Sequence, residues 1–543
     1  MCGIHLQVQT ASSETSNCSC HGTFQKNPNV DRRGPDVSHA VISSSPVLSS
    51  HQVFLQASVL QMRRNLSQQP VDLGDDSHLC WNGEVYQMLD DENQVQDMWQ
   101  YDRSDTEIVA DLVTKALQQE AESHNPLPKL VQIMSRFINA EYAVVIVTRE
   151  ALYYCRDHWG RRSLLLRECA TCGSFQVCSV VGEESSPMTE QDQQAWVEIP
   201  PGKIMEYRLD TGTRQSVDLT TPSFDSPPLK TTLPIPSPPD GVSDGIWKAS
   251  FYLQEYLTQA VAMRIDHSDD ARPTAVLFSG GIDSVVLAAL AIQCSTRPVV
   301  LSNVSFGDNY EKSADRQAAL ISFQALQELF PNKTIHYEDI VLNWEDIVAN
   351  EPHIRTILTP KTTLMDVNIA TALWFASRGM DMDKDDLTKP RVLLLGMGAD
   401  EQMGGYGRHR KAYDQRGGWQ GLKEELQMDQ SRLWERNLGR DDRIGADHGK
   451  EARFPYLDAH VSRLLCEQLP LEQVCDFSLP PGAGDKRILR LVAMRLGLEH
   501  ASGLVKRAIQ FGSRISHVSD KKRFGSRRKA KGQAEAPSTN EEF

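Results

Sequence analysis

The stretch Ala275-Val276-Leu277-Phe278-Ser279-Gly280-Gly281-Ile282-Asp283-Ser284 decides how the C-terminal half of the chain folds. Residues 275–278 read as a short buried strand, and the apolar run 284–292 reads as a helix. A Gly-rich turn between the two presents backbone N–H groups at a helix N-terminus, which carries about half a positive charge. Ligands of open α/β sheets bind at the carboxyl ends of strands, where this turn lies. Ser279 and Ser284 add hydroxyl donors, and Asp283 offers a carboxylate that could hold Mg2+ against phosphates. A bland alternative is a turn without chemistry. The loop has no Gly-Lys-Ser/Thr ending, so it is not of the Walker type.

Working outward, predicted strands at 299–306 and 392–395 alternate with helices at 284–292 and 314–329. That alternation predicts an α/β doubly wound parallel sheet over residues 246–518, covered on both faces. Residues 2–210 have another texture: short apolar runs at 40–42, 53–60, 142–147, 152–154 and 175–181, interrupted by helical patterns at 105–120 and 127–137. These predict an antiparallel α+β sandwich with helices outside. Between them, residues 211–245 include Pro222, Pro227, Pro228, Pro234, Pro236, Pro238 and Pro239 and read as an extended linker. The tail 519–543 is basic at Lys521, Lys522, Arg523, Arg527, Arg528, Lys529 and Lys531, ends polar and acidic, and is expected to be disordered.

With 543 residues the chain exceeds one core, at roughly 150 residues per domain. Its net charge of −15 argues against nucleic-acid or anionic-membrane partners. It shows no basic-then-apolar leader, and no apolar run approaches the ~20 residues needed to span a bilayer. A soluble cytoplasmic protein is expected. Eleven cysteines fit reduced thiols better than a disulfide framework. Cys169, Cys172 and Cys178 lack a second pair at zinc spacing. His409, Asp447 and His448 read as solvated or hydrogen-bonded rather than as a relay.

At the N-terminus Met1 precedes Cys2-Gly3-Ile4. Removal of Met1 would leave a thiol and a free α-amine on Cys2, a nucleophile carrying its own general base. An α-amine titrates near ~8, so part of it is neutral at pH 7 and can take the thiol proton.

Together, the N-terminal Cys-Gly-Ile and the Ser279–Ser284 loop resemble the asparagine synthetase (glutamine-hydrolysing) family, whose loop is of the ATP-pyrophosphatase type. The likeness runs along almost the whole chain. It includes Arg33-Gly34-Pro35-Asp36, Asn82-Gly83-Glu84-Val85-Tyr86, Ser104-Asp105-Thr106-Glu107 and Arg156-Asp157-His158-Trp159-Gly160 with Arg161. Further on come Leu395-Gly396-Met397-Gly398-Ala399-Asp400-Glu401, Gly404-Gly405-Tyr406, the stretch from Glu451 to Asp458, and Gly484-Asp485-Lys486-Arg487. The resemblance implies an N-terminal nucleophile sandwich (α-β-β-α) as a glutamine amidotransferase domain, followed by a synthetase domain.

By the same resemblance Cys2 is the nucleophile, and Asn82 and Gly83 form the oxyanion hole. Glutamine is held by Asn82, Glu84 and Asp105. ATP and pyrophosphate are held by Leu277, Ser279, Gly280, Gly281, Asp283, Ser284, Phe306, Gly396, Asp400 and Lys486, with Mg2+ on Asp283 and Asp400 and Leu277 and Phe306 bordering the adenine. The Arg156–Arg161 segment is expected to be architecture.

Two departures qualify the likeness. Leu60 stands where the family carries an Arg for the glutamine carboxylate, with Arg63 and Arg64 displaced. Met397 replaces the Glu thought to take a proton from ammonia, which a thioether cannot do. With Arg408-His409-Arg410, 437–443 and 506–514, this marks a divergent member rather than the housekeeping enzyme. The implied reaction converts aspartate, glutamine and ATP to asparagine, glutamate, AMP and pyrophosphate. Two rivals remain: an amide ligase for another carboxylic acid, and a weakened paralogue that binds nucleotide or a protein. The oligomeric state is not legible.

Overall fold

A computed structural model describes residues 2–10, 24–43, 51–62, 66–98, 103–120, 125–170, 172–182, 195–221, 224, 236–265, 272–380 and 389–524. The N-terminal region is two antiparallel sheets laid face to face. In spatial order, the first holds Val197–Glu198, Leu165–Glu168, Phe175–Cys178, Gly3–Thr10, His51–Val59 and Val37–Ser43. The second holds Arg214–Asp218, Lys203–Arg208, Ala151–Arg156, Phe137–Val147, Ser77–Leu89 and Val71–Gly74, with Val95–Asp97 also paired to Ser77–Leu89.

Side-chain alternation fixes which faces meet. Ile4, Leu6 and Val8 point inward from the first strand and pack with Leu55, Val145 and Leu152 between the sheets. On the other face of the second sheet, Leu79, Trp81 and Val85 pack with Val109 and Val113 of the helix Asp105–Gln119 and Leu130 of the helix Leu127–Met134. The strand Ser77–Leu89 is therefore buried on both faces. This is the antiparallel sandwich expected of the N-terminal half, with helices on the outer face of the second sheet.

The C-terminal domain is built on a parallel sheet ordered Ile335–Leu342, Val299–Phe306, Thr274–Leu277, Val392–Leu394 and Glu451–Arg453. One cluster holds Val276 with Val286 and Leu290 of the helix Ile282–Cys294. Another holds Val304 and Phe306 with Phe375 of the helix Leu364–Arg378.

Two expected boundaries move. The strand Arg214–Asp218 pairs with Lys203–Arg208, so the second sheet continues past residue 210 into the stretch read as linker. The helix Ile515–Phe524 runs through the expected start of the tail at 519. Residues 222–223 and 225–235 of the linker and 525–543 of the tail lie outside the described residues.

Buried arginines lock the halves together. Arg33 Nη2 lies 2.7 Å from Asp442 Oδ2, and Arg443 Nη1 lies 2.7 Å from Glu198 Oε1. Arg264 reaches Glu141 and Asp458, each at 2.9 Å. Arg162 sits 3.3 Å from Glu451 and 3.6 Å from Asp442. The Arg156–Arg161 segment belongs to this wall: Arg156 bonds Glu198 at 3.1 Å, and Arg161 donates to the Leu457 carbonyl at 3.0 Å.

Candidate functional site

Two sites result, one in each half. The first surrounds Cys2, which opens the first sheet beside the strand Ser77–Leu89. The Cys2 nitrogen donates to Asn82 Oδ1 at 3.0 Å, and Gln69 Nε2 lies 3.5 Å from Sγ. Asn82 is fully buried, and its Nδ2 has no hydrogen-bond partner among the described residues. A buried amide donor left unpaired beside a thiol is free to donate to an oxygen that carries negative charge. Gly83 is required by packing, because a β-carbon there would overlap the Glu141 carbonyl and Tyr142 of the next strand.

Leu60, Glu84, Asp105 and Glu451 line the same small cavity as Cys2. The Asp105 carboxylate accepts from Trp81 Nε1 at 3.0 Å and from the Thr106 amide at 2.9 Å. Its helix is started by a capping box between Ser104 and Glu107. Arg453 Nη2 lies 3.7 Å from Glu84 Oε1. Burial pushes the Cys2 thiol up to about 11, so it is protonated near neutrality and attack needs a base. Leu60 brings no charge to this pocket, and Arg63 and Arg64 lie outside the described residues.

The second site lies at the carboxyl end of the strand Thr274–Leu277. Gly281 starts the helix Ile282–Cys294 without a side-chain cap, which leaves its first amides for a ligand. Gly280 has φ +73°, and a β-carbon there would overlap the backbone at Ala318 and Ala319. Ser284 Oγ donates to the Gly281 carbonyl at 3.0 Å, while Ser279 Oγ accepts from the Gly281 amide at 3.3 Å.

Lys486, whose side chain is fully buried, sits 2.7 Å from both Asp283 oxygens and 2.6 Å from Asp400 Oδ1. Lys506 Nζ lies 2.5 Å from Asp400 Oδ2. Burial alone would raise the Asp400 carboxyl, but the two ammonium groups hold it well below the usual range. Gly405 makes room for this cluster, since a β-carbon there would overlap the Asp400 carboxylate and the Lys486 side chain.

Among the described residues no group of three or more His, Cys, Asp or Glu forms a metal cage. Asp283 and Asp400 are the two carboxylates that could hold Mg2+ shared with phosphates, a number that suits that ion.

A cavity of about 140 Å3 opens beside these groups. Leu277, Ser279, Asp283, Ser284, Gly396 and Asp400 line it, together with Met397 and Glu401. Phe306 does not: it is fully buried against Phe375, and Val304, two residues earlier on its strand, reaches the wall instead. Val304 and Phe306 share one face of the strand, so alternation alone does not separate them.

Lys506 and Asp315 are cavity residues to which the sequence assigned no role. Burial pushes Asp315 up to about 7, against the pull of Lys506 and Arg507. The expected loop histidines separate. His409 is fully buried with Nε2 2.9 Å from Asp429, whereas Asp447 bonds His353, Arg32 and Trp374, and the His448 ring packs on Trp374.

The asparagine synthase family model matches residues 252–417 and 412–501. The asparagine synthetase domain-containing protein 1 of Gallus gallus is 30% identical, over 95% of this chain and 97% of that protein. The asparagine synthetase domain-containing protein YML096W of Saccharomyces cerevisiae is 29% identical over 90% and 88%. A putative glutamine-hydrolysing asparagine synthetase 1 of Methanocaldococcus jannaschii is 30% identical over 41% and 37%. Matched along nearly its whole length by a relative of 30% identity, and carrying the synthase domain, the chain belongs to the asparagine synthase family.

Proposed function

We propose that the protein is an ATP- and glutamine-dependent amidotransferase of asparagine synthetase type. The observation that carries this reading is the bridge from Lys486 to both Asp283 and Asp400 beneath an uncapped, Gly-rich helix start. In the N-terminal half, the α-amine of a processed Cys2 takes the thiol proton and Sγ attacks the glutamine side-chain amide. Asn82 Nδ2 and the Gly83 amide would stabilise the oxyanion, ammonia leaves with the proton returned by the α-amine, and water then hydrolyses the glutamyl thioester to glutamate and frees Cys2. One such donor is typically worth ~10²–10³ in rate.

In the C-terminal half, Gly280, Gly281 and the helix start hold the ATP phosphates. Asp283 and Asp400 would hold Mg2+, which neutralises phosphate charge. The aspartate side-chain carboxylate attacks the α-phosphorus, and pyrophosphate departs against Lys486 and Lys506. Ammonia then displaces AMP to give asparagine. The test is asparagine formation by purified protein from aspartate and ATP, with glutamine or ammonium as nitrogen source.

A second reading rests on Met397 and Leu60, which stand in the two cavities without the charge expected there. It makes the protein a weakened paralogue that binds nucleotide. ATP binding without ATP–pyrophosphate exchange, for any carboxylic acid offered, would favour it. Exchange with an acid other than aspartate would favour a different amide ligase.

A further inference from the structure

Met397 leaves the proposed amination step without the carboxylate that would take ammonia's surplus proton, and four other carboxyl groups border the cavity: Asp283, Asp315, Asp400 and Glu401. Two are already engaged. Both oxygens of Asp283 accept from Lys486, and the oxygens of Asp400 face Lys486 and Lys506. Asp315 packs against Gly512, where a β-carbon would overlap its carboxylate, beside the charges of Lys506 and Arg507.

Glu401 differs from all three. It sits in the short helix Ala399–Met403, separated from Met397 by the N-cap Gly398, and it shares the cavity wall with Met397. It is 4% exposed. The Tyr406 hydroxyl donates to its Oε1 at 2.6 Å and Asn437 Nδ2 donates to the same oxygen at 3.3 Å, so no other side chain's hydrogen bond engages Oε2 among the described residues. Gln430 Nε2 donates to its backbone carbonyl at 3.1 Å, which further fixes the residue.

We propose that Glu401 accepts the proton in the amination step, in place of the carboxylate that Met397 lacks. The proposal rests on the amidotransferase reading above. Ammonia nitrogen forms a bond to the acyl carbon of the adenylate, and the bond from that carbon to the phosphate oxygen breaks with its electron pair leaving on AMP. The surplus N–H proton passes to Glu401 Oε2. Tyr406 and Asn437 keep Oε1 occupied, so the carboxylate presents one face.

The test separates the two half-reactions in the full-length protein. ATP–pyrophosphate exchange with aspartate reads adenylation, and a single turnover with ammonium reads amination. Glu401→Gln, nearly isosteric, is expected to keep exchange and to slow amination by ~10²–10⁴-fold. Adding Met397→Glu to Glu401→Gln is expected to recover at least about tenfold of that loss, within the range of general-base catalysis. Unslowed amination in Glu401→Gln overturns the proposal and leaves the amidotransferase reading standing. Loss of exchange and amination together also overturns it, because Glu401 would then serve the phosphate cluster. If Asp315→Asn loses amination while Glu401→Gln keeps it, the role moves to Asp315. No exchange in the wild type with aspartate fails the reading beneath and the proposal with it.

Discussion

Lys486 Nζ lies 2.7 Å from each carboxylate oxygen of Asp283, although 203 positions separate the two residues. Both sit at the same end of the parallel sheet, and the ammonium also meets Asp400 at 2.6 Å. A fully buried lysine with two carboxylates is a charged cluster that a polyphosphate and its cation can rearrange. Lys486→Met should abolish ATP–pyrophosphate exchange, with a loss of at least ~10²-fold for removing a charge-stabilising donor. Exchange within threefold of wild type would remove Lys486 from the site.

Cys2→Ala should end glutamine hydrolysis while sparing ammonium-dependent synthesis, because the two sites occupy separate halves. Mass spectrometry should find Met1 removed from the active protein. Hydrolysis that persists in the variant would place the nucleophile elsewhere.

The Arg33–Asp442 pair joins the halves with neither side chain more than 1% exposed. Breaking a buried pair from one side typically costs ~3–5 kcal/mol, because the remaining charge is stranded. Arg33→Met should therefore lower stability to chemical denaturation by about that much. It should also reduce glutamine-dependent synthesis more than ammonium-dependent synthesis, since Arg33 Nε also donates to the Cys2 carbonyl at 3.4 Å.

Asp447 accepts from His353, Arg32 and Trp374, each at 2.8 Å. Burial would raise its carboxyl, but His353 and Arg32 hold it well below the usual range. A depressed folded pKa contributes stability that is present above the unfolded value of about 3.9 and lost as pH falls through the folded one. Asp447→Asn should be less stable than wild type at pH 7, with a gap that narrows below about pH 4 as the wild-type carboxylate protonates. A gap that does not change between pH 7 and pH 3 would contradict this.

The strand-to-helix turn at 279–284 was legible because its glycines separate an apolar strand from an apolar helix, and Asp283 and Ser284 lie in the first turn of that helix. Cys2 and Asn82 could be named through the resemblance, and the sheets bring them within a hydrogen bond across 80 positions. Sequence reading was weaker where tertiary contact decides a role. Lys506 lies in a basic run with no periodic signal, and only the fold carries it to Asp400. Phe306 and Val304 share one face of their strand, so alternation does not separate them, and only the fold brings Val304 rather than Phe306 to the cavity wall. The strand Arg214–Asp218 is exposed along its length and composed mostly of polar residues, so nothing in its pattern separates it from the linker that follows. The interdomain arginines are invisible to patterning, since a buried Arg differs from a solvated one only in its partners.

On the proposed function, one chain moves nitrogen from glutamine to a carboxylate that it activates with ATP. The direct measurement is transfer of label from glutamine with 15N in the side-chain amide, using purified full-length protein with aspartate, ATP and Mg2+. The expected result is 15N-asparagine formed together with one AMP and one pyrophosphate, lost in Cys2→Ala and restored to that variant, unlabelled, by ammonium. ATP bound but not cleaved, with no amide product from glutamine or ammonium, would contradict it.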